Sequence, residues 1–201
     1  APRGVEVIPL EMKILSLAET PLPLDTTGRV KAELDTRLDA RALDLRTPES
    51  QAIFKIQHVV LKSIRDFFYS RGFIEVITPK ILATATEGGA QLFPVAYFEK
   101  TAFLAQSPQL YKEVLTSAFE KVFEIGSFFR AEESNTTYHL SEFVSVDVEV
   151  AFATAEDVMK LLEDLLVDVV NSVKESCKKE LEILNHELPE LKKPFKRLTY
   201  L

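Results

Sequence analysis

The sequence is poor in the residues that build disulfide frameworks and in the long apolar runs that cross membranes. It has a single cysteine, Cys177, among 201 residues, which excludes an internal disulfide and a cysteine-based metal site. No apolar run approaches the ~20 residues that span a bilayer, and no charged-then-apolar leader opens the chain. These absences predict a cytoplasmic protein with no membrane partner.

Positive charge is also in short supply. The formal net charge is −7, with 27% charged and 46% hydrophobic residues, which is ordinary for a globular protein with a substantial core and excludes a global basic surface for nucleic acid. Any RNA contact would need local patches such as 178–179, 192–193 and 196–197. Such lysine pairs are more typical of solvated faces near helix ends.

What the sequence does contain is a distinctive stretch at residues 123–143. Two alternating apolar runs flank a polar loop at about residues 133–140, which predicts two antiparallel strands. On a strand, Arg130 and Glu132 would project from one face. The planar guanidinium of an arginine suits a phosphate, and a glutamate can accept from an exocyclic amine. An alternative is a surface ion pair at a strand end.

The wider string reads Phe-Arg-Ala-Glu-Glu-Ser-Asn-Thr and then His-Leu-Ser-Glu-Phe. It resembles motif 2 of the class II aminoacyl-tRNA synthetases, in the form found in the aspartyl, asparaginyl and lysyl subgroup, and the chain as a whole resembles the archaeal and eukaryotic aspartyl type. The resemblance implies that Arg130 is catalytic and grips the α-phosphate of ATP, and that Glu132 reads the adenine amine. It implies further ATP contacts by Tyr138, His139 and Leu140. Many relatives have His at position 134 and Arg at 138, where this chain has Ser and Tyr, and a tyrosine cannot pair with a phosphate as arginine does.

Residues 47–79 combine a helix with a short strand. Thr47 and Pro48 form a helix start, Gly72 a left-handed end, and residues 73–79 a strand closed by Pro79. The predicted helix runs from about Pro48 to Ser70, with an apolar stripe at helical spacing: Ile53, Ile56, Val60, Ile64, Phe67 and Phe68. The segment resembles motif 1, which implies a homodimer interface; the alternative is a core helix and strand.

Two further segments carry candidate contacts to an amino acid. Residues 83–93 form a small-residue loop containing Thr-Glu-Gly-Gly, which resembles a substrate lid and implies that Glu87 holds the α-ammonium; a bare turn is the alternative. The string Gln-Leu-Tyr-Lys enters a helix capped by Ser107, with Pro108 in its first turn. By resemblance, Lys112 binds the β-carboxylate of aspartate, and Gln109, Ser107 and Arg130 join it. The alternative for Lys112 is an exposed helix lysine.

Residues 143–150 alternate between valines and polar side chains. Asp147 and Glu149 face either a site, near a metal, or solvent, so no metal ligand is assigned. Thr154 and Asp157 predict a capping box. The helix that follows has an apolar face expected to cover a sheet: Val158, Leu161, Leu162, Leu165, Leu166, Val169, Val170 and Val173.

These segments together predict an α+β fold, a class II synthetase-like antiparallel sheet flanked by helices and incomplete. Residues 4–17 read as a strand-rich opening, so residues 1–17 are interpreted as the remnant of an N-terminal OB-fold and residues 18–46 as a linker or hinge. Residues 47–201 then form the first part of the catalytic domain. Motif 1 is placed at about 48–79 and motif 2 at about 122–152.

The resemblance implies an aspartate–tRNA ligase that uses ATP and Mg²⁺ to form aspartyl-adenylate and charges tRNA(Asp), with tRNA(Asn) left open. The Gly-rich motif 3 is absent, so we expect weak or no aminoacylation by this chain alone. Two alternatives remain at this point. One is a paralogue that makes asparagine from aspartyl-adenylate without tRNA. The other is a non-catalytic dimerisation module.

Overall fold

The fold is known from a computed structural model that describes residue 4 and residues 6–84, 92–133, 136 and 138–199. The chain divides into two compact units, Ala1–Phe54 and Lys55–Leu201. Helices and strands are both present, in an α+β arrangement. The predicted fold class is therefore confirmed.

The opening of the first unit differs from the sequence prediction. Residues 6–33 contain neither strand nor helix, so the predicted strand-rich opening is wrong. An alternating segment becomes a strand only where a neighbouring strand satisfies its backbone groups, and its apolar side chains are instead exposed: Val7, Ile8, Leu10, Met12, Ile14, Leu15 and Leu17. The assignments to an OB-fold remnant, a hinge and a catalytic part stay predictions.

The rest of the first unit is organised by two carboxylates. Asp25 accepts from the backbone N–H groups of Thr27 at 2.8 Å and Arg29 at 3.1 Å. Two short helices follow, α1 (Leu34–Asp39) and α2 (Arg41–Asp44), as expected of a helical or turn-like segment. Asp44 is only 1% exposed and closes this region by accepting from the Arg37 side chain at 2.7 Å.

Helix α3 (Pro48–Ser70) has the predicted bounds. The Thr47 hydroxyl accepts from the N–H of Ser50 at 3.4 Å. Gly72 has φ +77°, which a residue with a Cβ adopts only with strain. Phe73 N–H donates to the Phe68 carbonyl at 3.1 Å, and the two rings lie 5.0 Å apart, so the turn after the helix is fixed by both a hydrogen bond and an apolar contact.

Strand β1 (Ile74–Glu75) is much shorter than the predicted 73–79 segment. It pairs in parallel with β5 (Lys121–Phe129), with Ile74 opposite Val122. The ladder ends because the N–H of Thr78 donates to the Glu124 side chain at 3.0 Å instead of to a strand. The prediction of a strand there was right in place and wrong in extent.

Strand β5 also pairs with β6 (Glu142–Val150), and this pairing is antiparallel as predicted. The sheet order is β1-β5-β6. A second antiparallel sheet contains β2 (Ile81–Leu82), β3 (Pro94–Tyr97) and β4 (Lys100–Leu104) in the order β2-β4-β3. Among the strands that the structure describes, only the β1–β5 pair is parallel.

One face of the first sheet is buried against helices. Phe123 of β5 has no exposed surface and packs with aromatic side chains of α3 and the turn after it. Helix α5 (Ala155–Ser176) begins with the predicted capping box of Thr154 and Asp157. Leu161, Leu165 and Val169 of its predicted apolar face pack on the same core together with β6, whereas Val158, Leu162 and Leu166 of that face are exposed. Helix α6 (Lys178–Ile183) follows. The site must therefore use the opposite face.

Candidate active site

The polar face of the β5–β6 pair is the candidate site. Residues opposite each other in an antiparallel pair share a face. The register sets Glu124 opposite Asp147, Gly126 opposite Ser145, and Phe128 opposite Phe143. This face points away from the Phe123 core because neighbouring residues of a strand alternate. The clean alternation of valines and polar residues at 143–150 was the sequence signal for it.

Lys112 reaches this face from α4 (Gln109–Phe119) and is only 3% exposed. Its Nζ lies 3.2 Å from an oxygen of Asp147 and 3.7 Å from one of Glu149. The same atom donates to the Val148 carbonyl at 3.4 Å. The alternative of an exposed helix lysine is therefore wrong.

The partners of Lys112 were not predicted as a pair from the sequence. Asp147 and Glu149 were left open between a site and a solvated face, and the structure shows both beside the lysine and mostly buried. The second oxygen of Asp147, Oδ2, is buried and has no hydrogen-bond partner among the described residues. A buried carboxylate oxygen of this kind retains capacity to accept a further donor.

The entry to α4 begins one residue later than predicted. Pro108 is the residue before the helix rather than its first residue. The buried Ser107 hydroxyl accepts from the N–H of Gln109, two residues on, at 3.3 Å, which is the capping hydrogen bond that the sequence predicted. The Gln109 amide donates to Glu113 at 2.8 Å, one turn along the helix. The assignment of Ser107 and Gln109 to amino-acid binding stays a prediction.

Arg130 follows directly after β5. Its N–H donates to the Ser141 carbonyl at 3.0 Å, which extends the antiparallel pairing by one step. Its guanidinium carbon lies 5.4 Å from the centroid of the Phe143 ring, within the range of a cation–π contact. The aromatic ring therefore holds the arginine over the same face as Phe128.

The predicted shared strand face of Arg130 and Glu132 is wrong in its premise, because β5 ends at Phe129. Glu132 lies beyond the ladder and has an oxygen 3.7 Å from Nε2 of His139. The other ring nitrogen of His139 lies 2.7 Å from the Thr136 hydroxyl. Two of the predicted ATP contacts are thus brought together, through the loop rather than through a strand.

The remaining predicted contacts differ in exposure. Tyr138 is 93% exposed, and Leu140 is also exposed, so neither packs against the site face. Glu87 and Ser134 lie outside the described residues.

Lys112 and Arg130 lie at the two ends of one part of this face, which is called the strip here and runs along β6 from Phe143 to Asp147. Lys112 contacts Asp147, and Arg130 stacks on Phe143, four residues along the same strand and therefore about 13 Å away. Between these positions the face carries Ser145 and Gly126, and the side chains of Glu124 and Lys80 lie close against Gly126. An arrangement of two cations separated by small residues can hold two anionic groups of one ligand, or of two adjacent ligands.

No cluster of three or more His, Cys, Asp or Glu side chains among the described residues could hold a metal ion.

Among the described residues, no helix is both long enough and apolar enough to cross a bilayer.

Comparison with known proteins identifies close relatives along the whole chain. The aspartate–tRNA(Asp/Asn) ligase of Methanopyrus kandleri is 62% identical over 100% of this chain and 47% of its own length. The aspartate–tRNA(Asp) ligase of Pyrococcus abyssi is 60% identical over 98% of this chain and 45% of its own length. The chain therefore spans about half the length of the curated relatives it matches.

Solved structures show the same architecture. Asparaginyl-tRNA synthetase from Pyrococcus horikoshii, complexed with asparaginyl-adenylate, is 39% identical and superimposes with a TM-score of 0.73 over 76% of this chain and 35% of its own. The Entamoeba histolytica enzyme in the same kind of complex is 29% identical, with a TM-score of 0.79 over 92% of this chain and 41% of its own. The family model described as tRNA synthetases class II (D, K and N) matches residues 33–201, and the chain belongs to that family.

Proposed function

We propose that this chain is the nucleotide- and amino-acid-binding part of an aspartate–tRNA ligase. The observation that carries the proposal is the buried Lys112, held between Asp147 and Glu149 on the sheet face over which Arg130 stacks. The names of relatives about 60% identical, such as those from Methanopyrus kandleri and Pyrococcus abyssi, support the same activity. Aspartate and ATP would form aspartyl-adenylate and pyrophosphate, and the aspartyl group would pass to tRNA.

Aspartate binding depends on Lys112 in this proposal. An ammonium group has three donors; here Asp147 and the Val148 carbonyl accept two hydrogen bonds, and an oxygen of Glu149 lies 3.7 Å away. These contacts fix the direction of the lysine, and a β-carboxylate of the substrate would accept from the donor that remains. A side-chain amide would gain less from a full positive charge, so Lys112 favours aspartate over asparagine. Ser107, Gln109 and Glu87 complete the proposed amino-acid contacts.

ATP binding and catalysis are assigned to the other end of the strip. Arg130 would hold the α-phosphate and offset the charge that builds on it while the aspartate carboxylate attacks. Its contact with Phe143 fixes the guanidinium before the ligand binds, which lowers the cost of ordering it. Glu132 would accept from the adenine amine, with His139 beside it; Tyr138 and Leu140 are proposed as peripheral contacts. Arg130 also lies in reach of the aspartate α-carboxylate in this scheme.

The family implies Mg²⁺ as well as ATP. Because no suitable cluster of acidic or histidine side chains exists among the described residues, we assign no step to a protein-bound ion. The ion would arrive with the triphosphate and neutralise part of its charge. Catalysis by the chain's own residues is then positioning and charge compensation.

The proposed partners follow from the relatives' names. These include both aspartate–tRNA(Asp/Asn) and aspartate–tRNA(Asp) ligases. We propose tRNA(Asp) as the substrate, and charging assays with each tRNA decide whether tRNA(Asn) is a second one. A cytoplasmic location is proposed with this role.

A homodimer formed through residues 48–79 is part of the proposal. Ile77 is 92% exposed, which supports an interface because a large apolar side chain gains free energy when it is covered. Substitution Ile77→Glu should convert a dimer to a monomer in sedimentation equilibrium. An unchanged dimer would contradict an interface at this position, and Lys179→Glu, an exposed change on α6, is the matched control.

Calorimetry with ATP, aspartate and asparagine tests the function directly. The parent chain should bind ATP and should prefer aspartate to asparagine. Lys112→Met should weaken aspartate binding by about 100-fold, the loss expected when a buried charged hydrogen bond to a ligand is removed, and should leave ATP binding nearly unchanged. Lys179→Met removes an exposed lysine and serves as control.

Two results would overturn the proposal. Binding of neither ligand by the parent chain would indicate an interaction module instead. Formation of asparagine from aspartate, ATP and ammonia without tRNA would assign the chain to the tRNA-independent alternative.

A further inference from the structure

A second buried acid, Glu124, lies on the site face directly opposite Asp147. It is 1% exposed. One carboxylate oxygen accepts from the Thr78 N–H at 3.0 Å and lies 2.6 Å from Nζ of Lys80, and the other accepts from the Thr78 hydroxyl at 2.7 Å. Both oxygens therefore bond to the segment that follows β1, none of whose residues was predicted to act in the site.

Lys80 is held from three directions. Besides Glu124, its Nζ donates to the Thr78 carbonyl at 2.8 Å and lies 4.4 Å from the centroid of the buried Phe128 ring. An ammonium with these contacts has a fixed position. The lysine therefore links residues 78–80 to the centre of β5 through an ion pair and a cation–π contact.

The backbone of Lys80 is also hydrogen-bonded toward the site. Its carbonyl accepts from the N–H of Ala105 at 2.9 Å, and the Ala105 carbonyl accepts from the N–H of Phe129 at 2.9 Å. Phe129 precedes Arg130, and Ala105 stands two residues before Ser107. The hydrogen bonds form a closed loop from Glu124 in mid-strand through Lys80 and Ala105 to the strand's end.

Charge compensation gives Lys80 a second connection to the site. Like charges directly opposite each other on two strands are destabilising, and Glu124 and Asp147 are such a pair. Each has its own lysine, Lys80 for Glu124 and Lys112 for Asp147. Without the charge of Lys80, the negative charge of Glu124 would offset part of the positive charge of Lys112, and Lys112 would attract an anionic ligand less strongly.

Gly126 makes room for this ion pair. A Cβ added to Gly126 would lie 3.2 Å from an oxygen of Glu124 and 3.4 Å from Cε of Lys80. The glycine has no unusual φ, so close approach of the Glu124 and Lys80 side chains, and not backbone conformation, accounts for it. An alanine here would push on the pair without changing any charge.

We propose that Lys80 is a positioning residue for the site. Through Glu124 and Ala105 it fixes the strand end that carries Arg130 and the segment that carries Ser107, and it leaves the charge of Lys112 for the ligand. It touches no substrate. This inference rests on the proposed function for its ligands, but the hydrogen-bonded loop can be measured without any ligand.

The test compares Lys80→Met, Lys80→Arg and Gly126→Ala with the parent chain. In Lys80→Met, amide hydrogen exchange at Ala105 and Phe129 should accelerate about tenfold or more, since their loop is loosened, while exchange at Val60 in α3 stays the same. Calorimetry well below the melting temperature should show aspartate and ATP each binding about tenfold more weakly. Lys80→Arg should restore most of both, and Gly126→Ala should reproduce part of the loss.

The outcomes are distinguishable. Unchanged exchange at Ala105 and Phe129 in Lys80→Met would overturn the inference, as would weaker binding that Lys80→Arg fails to restore. Faster exchange with unchanged affinities would also overturn it, because the lysine would then be only structural. If the parent chain binds neither ligand, the proposed function fails, and the exchange rates alone then decide whether Lys80 holds the strand end.

Discussion

Each unit of the chain contains a buried charged side chain paired with two side chains of opposite charge, and the signs are reversed between the two units. Asp44 in the first unit is one acid between two cations, Arg37 and Arg41. Lys112 in the second unit is one cation between two acids, Asp147 and Glu149.

The two clusters differ in how completely their hydrogen bonds are used. Both oxygens of Asp44 are engaged, since Arg37 bonds one, and Arg41 and the Ser50 hydroxyl bond the other. Around Lys112 the nearer acid keeps one buried oxygen with no partner among the described residues. A closed cluster stabilises a fold, whereas an unused acceptor oxygen can receive a hydrogen-bond donor from a ligand.

Among the substitutions that test this contrast, Asp147→Ala is expected to have the largest effect on stability. The change leaves Lys112 buried with only the more distant acid, so the free energy of unfolding should fall by about 3 kcal/mol, measured by urea unfolding. Glu149→Ala is the matched control and should cost clearly less, because its oxygen lies 3.7 Å from Nζ instead of 3.2 Å. Equal losses would mean that the two acids share the lysine evenly.

Acid pH should weaken the Asp44 cluster. The pKa of Asp44 lies below its ordinary value of 3.8, first because the Arg37 side chain hydrogen-bonds its carboxylate and then because Ser50 does so. A lowered pKa in the folded state stabilises the fold at every pH above the unfolded value and is lost as pH falls through the folded one. The melting temperature of the first unit should therefore fall when the pH is lowered below about 4.

Asp44→Asn tests that pH dependence. The variant should melt at a lower temperature than the parent at neutral pH and should approach it as pH falls. Amide exchange in α1 and α2 reports on this unit separately from the second. A parallel fall of both proteins with pH would show that other acids control the transition. Asp35→Asn, on the exposed side of α1, is the control.

The smallest effect is expected from Ser50→Ala. The Ser50 hydroxyl donates to Asp44 at 3.1 Å and accepts from Arg37 at 3.3 Å, so its loss should cost about 1 kcal/mol of unfolding free energy. Ser117→Ala, where the hydroxyl donates only to a helix carbonyl on an exposed face, should change less. If the two substitutions lower the free energy of unfolding equally, the hydrogen bond from Ser50 to Asp44 adds nothing to the stability of the cluster.

Elements with local signals were predictable from the sequence. Thr47 and Gly72 bound α3, and Thr154 with Asp157 begins α5, because caps and left-handed turns depend on a few neighbouring residues. The antiparallel β5–β6 pair followed from two alternating runs joined by a polar loop. The family likeness then indicated which residues of this pair were candidates for a site.

What failed required knowledge of distant partners. The segment at 6–17 alternates like a strand but has no strand among the described residues to pair with, and β1 is cut short by the side chain of Glu124. The contact of Lys112 with Asp147 depends on a register between α4 and β6 that no local pattern encodes. For the same reason Lys80 showed no signal: its partner is 44 residues away in sequence.

The β5–β6 register makes the length of β6 intolerant of change. Insertion or deletion of one residue within β6 would exchange its two faces. Asp147 would then turn toward the Phe123 core, and valines would replace acids beside Lys112. Natural variation in chain length should therefore be absent from this strand, and a single inserted codon should abolish folding and ligand binding together.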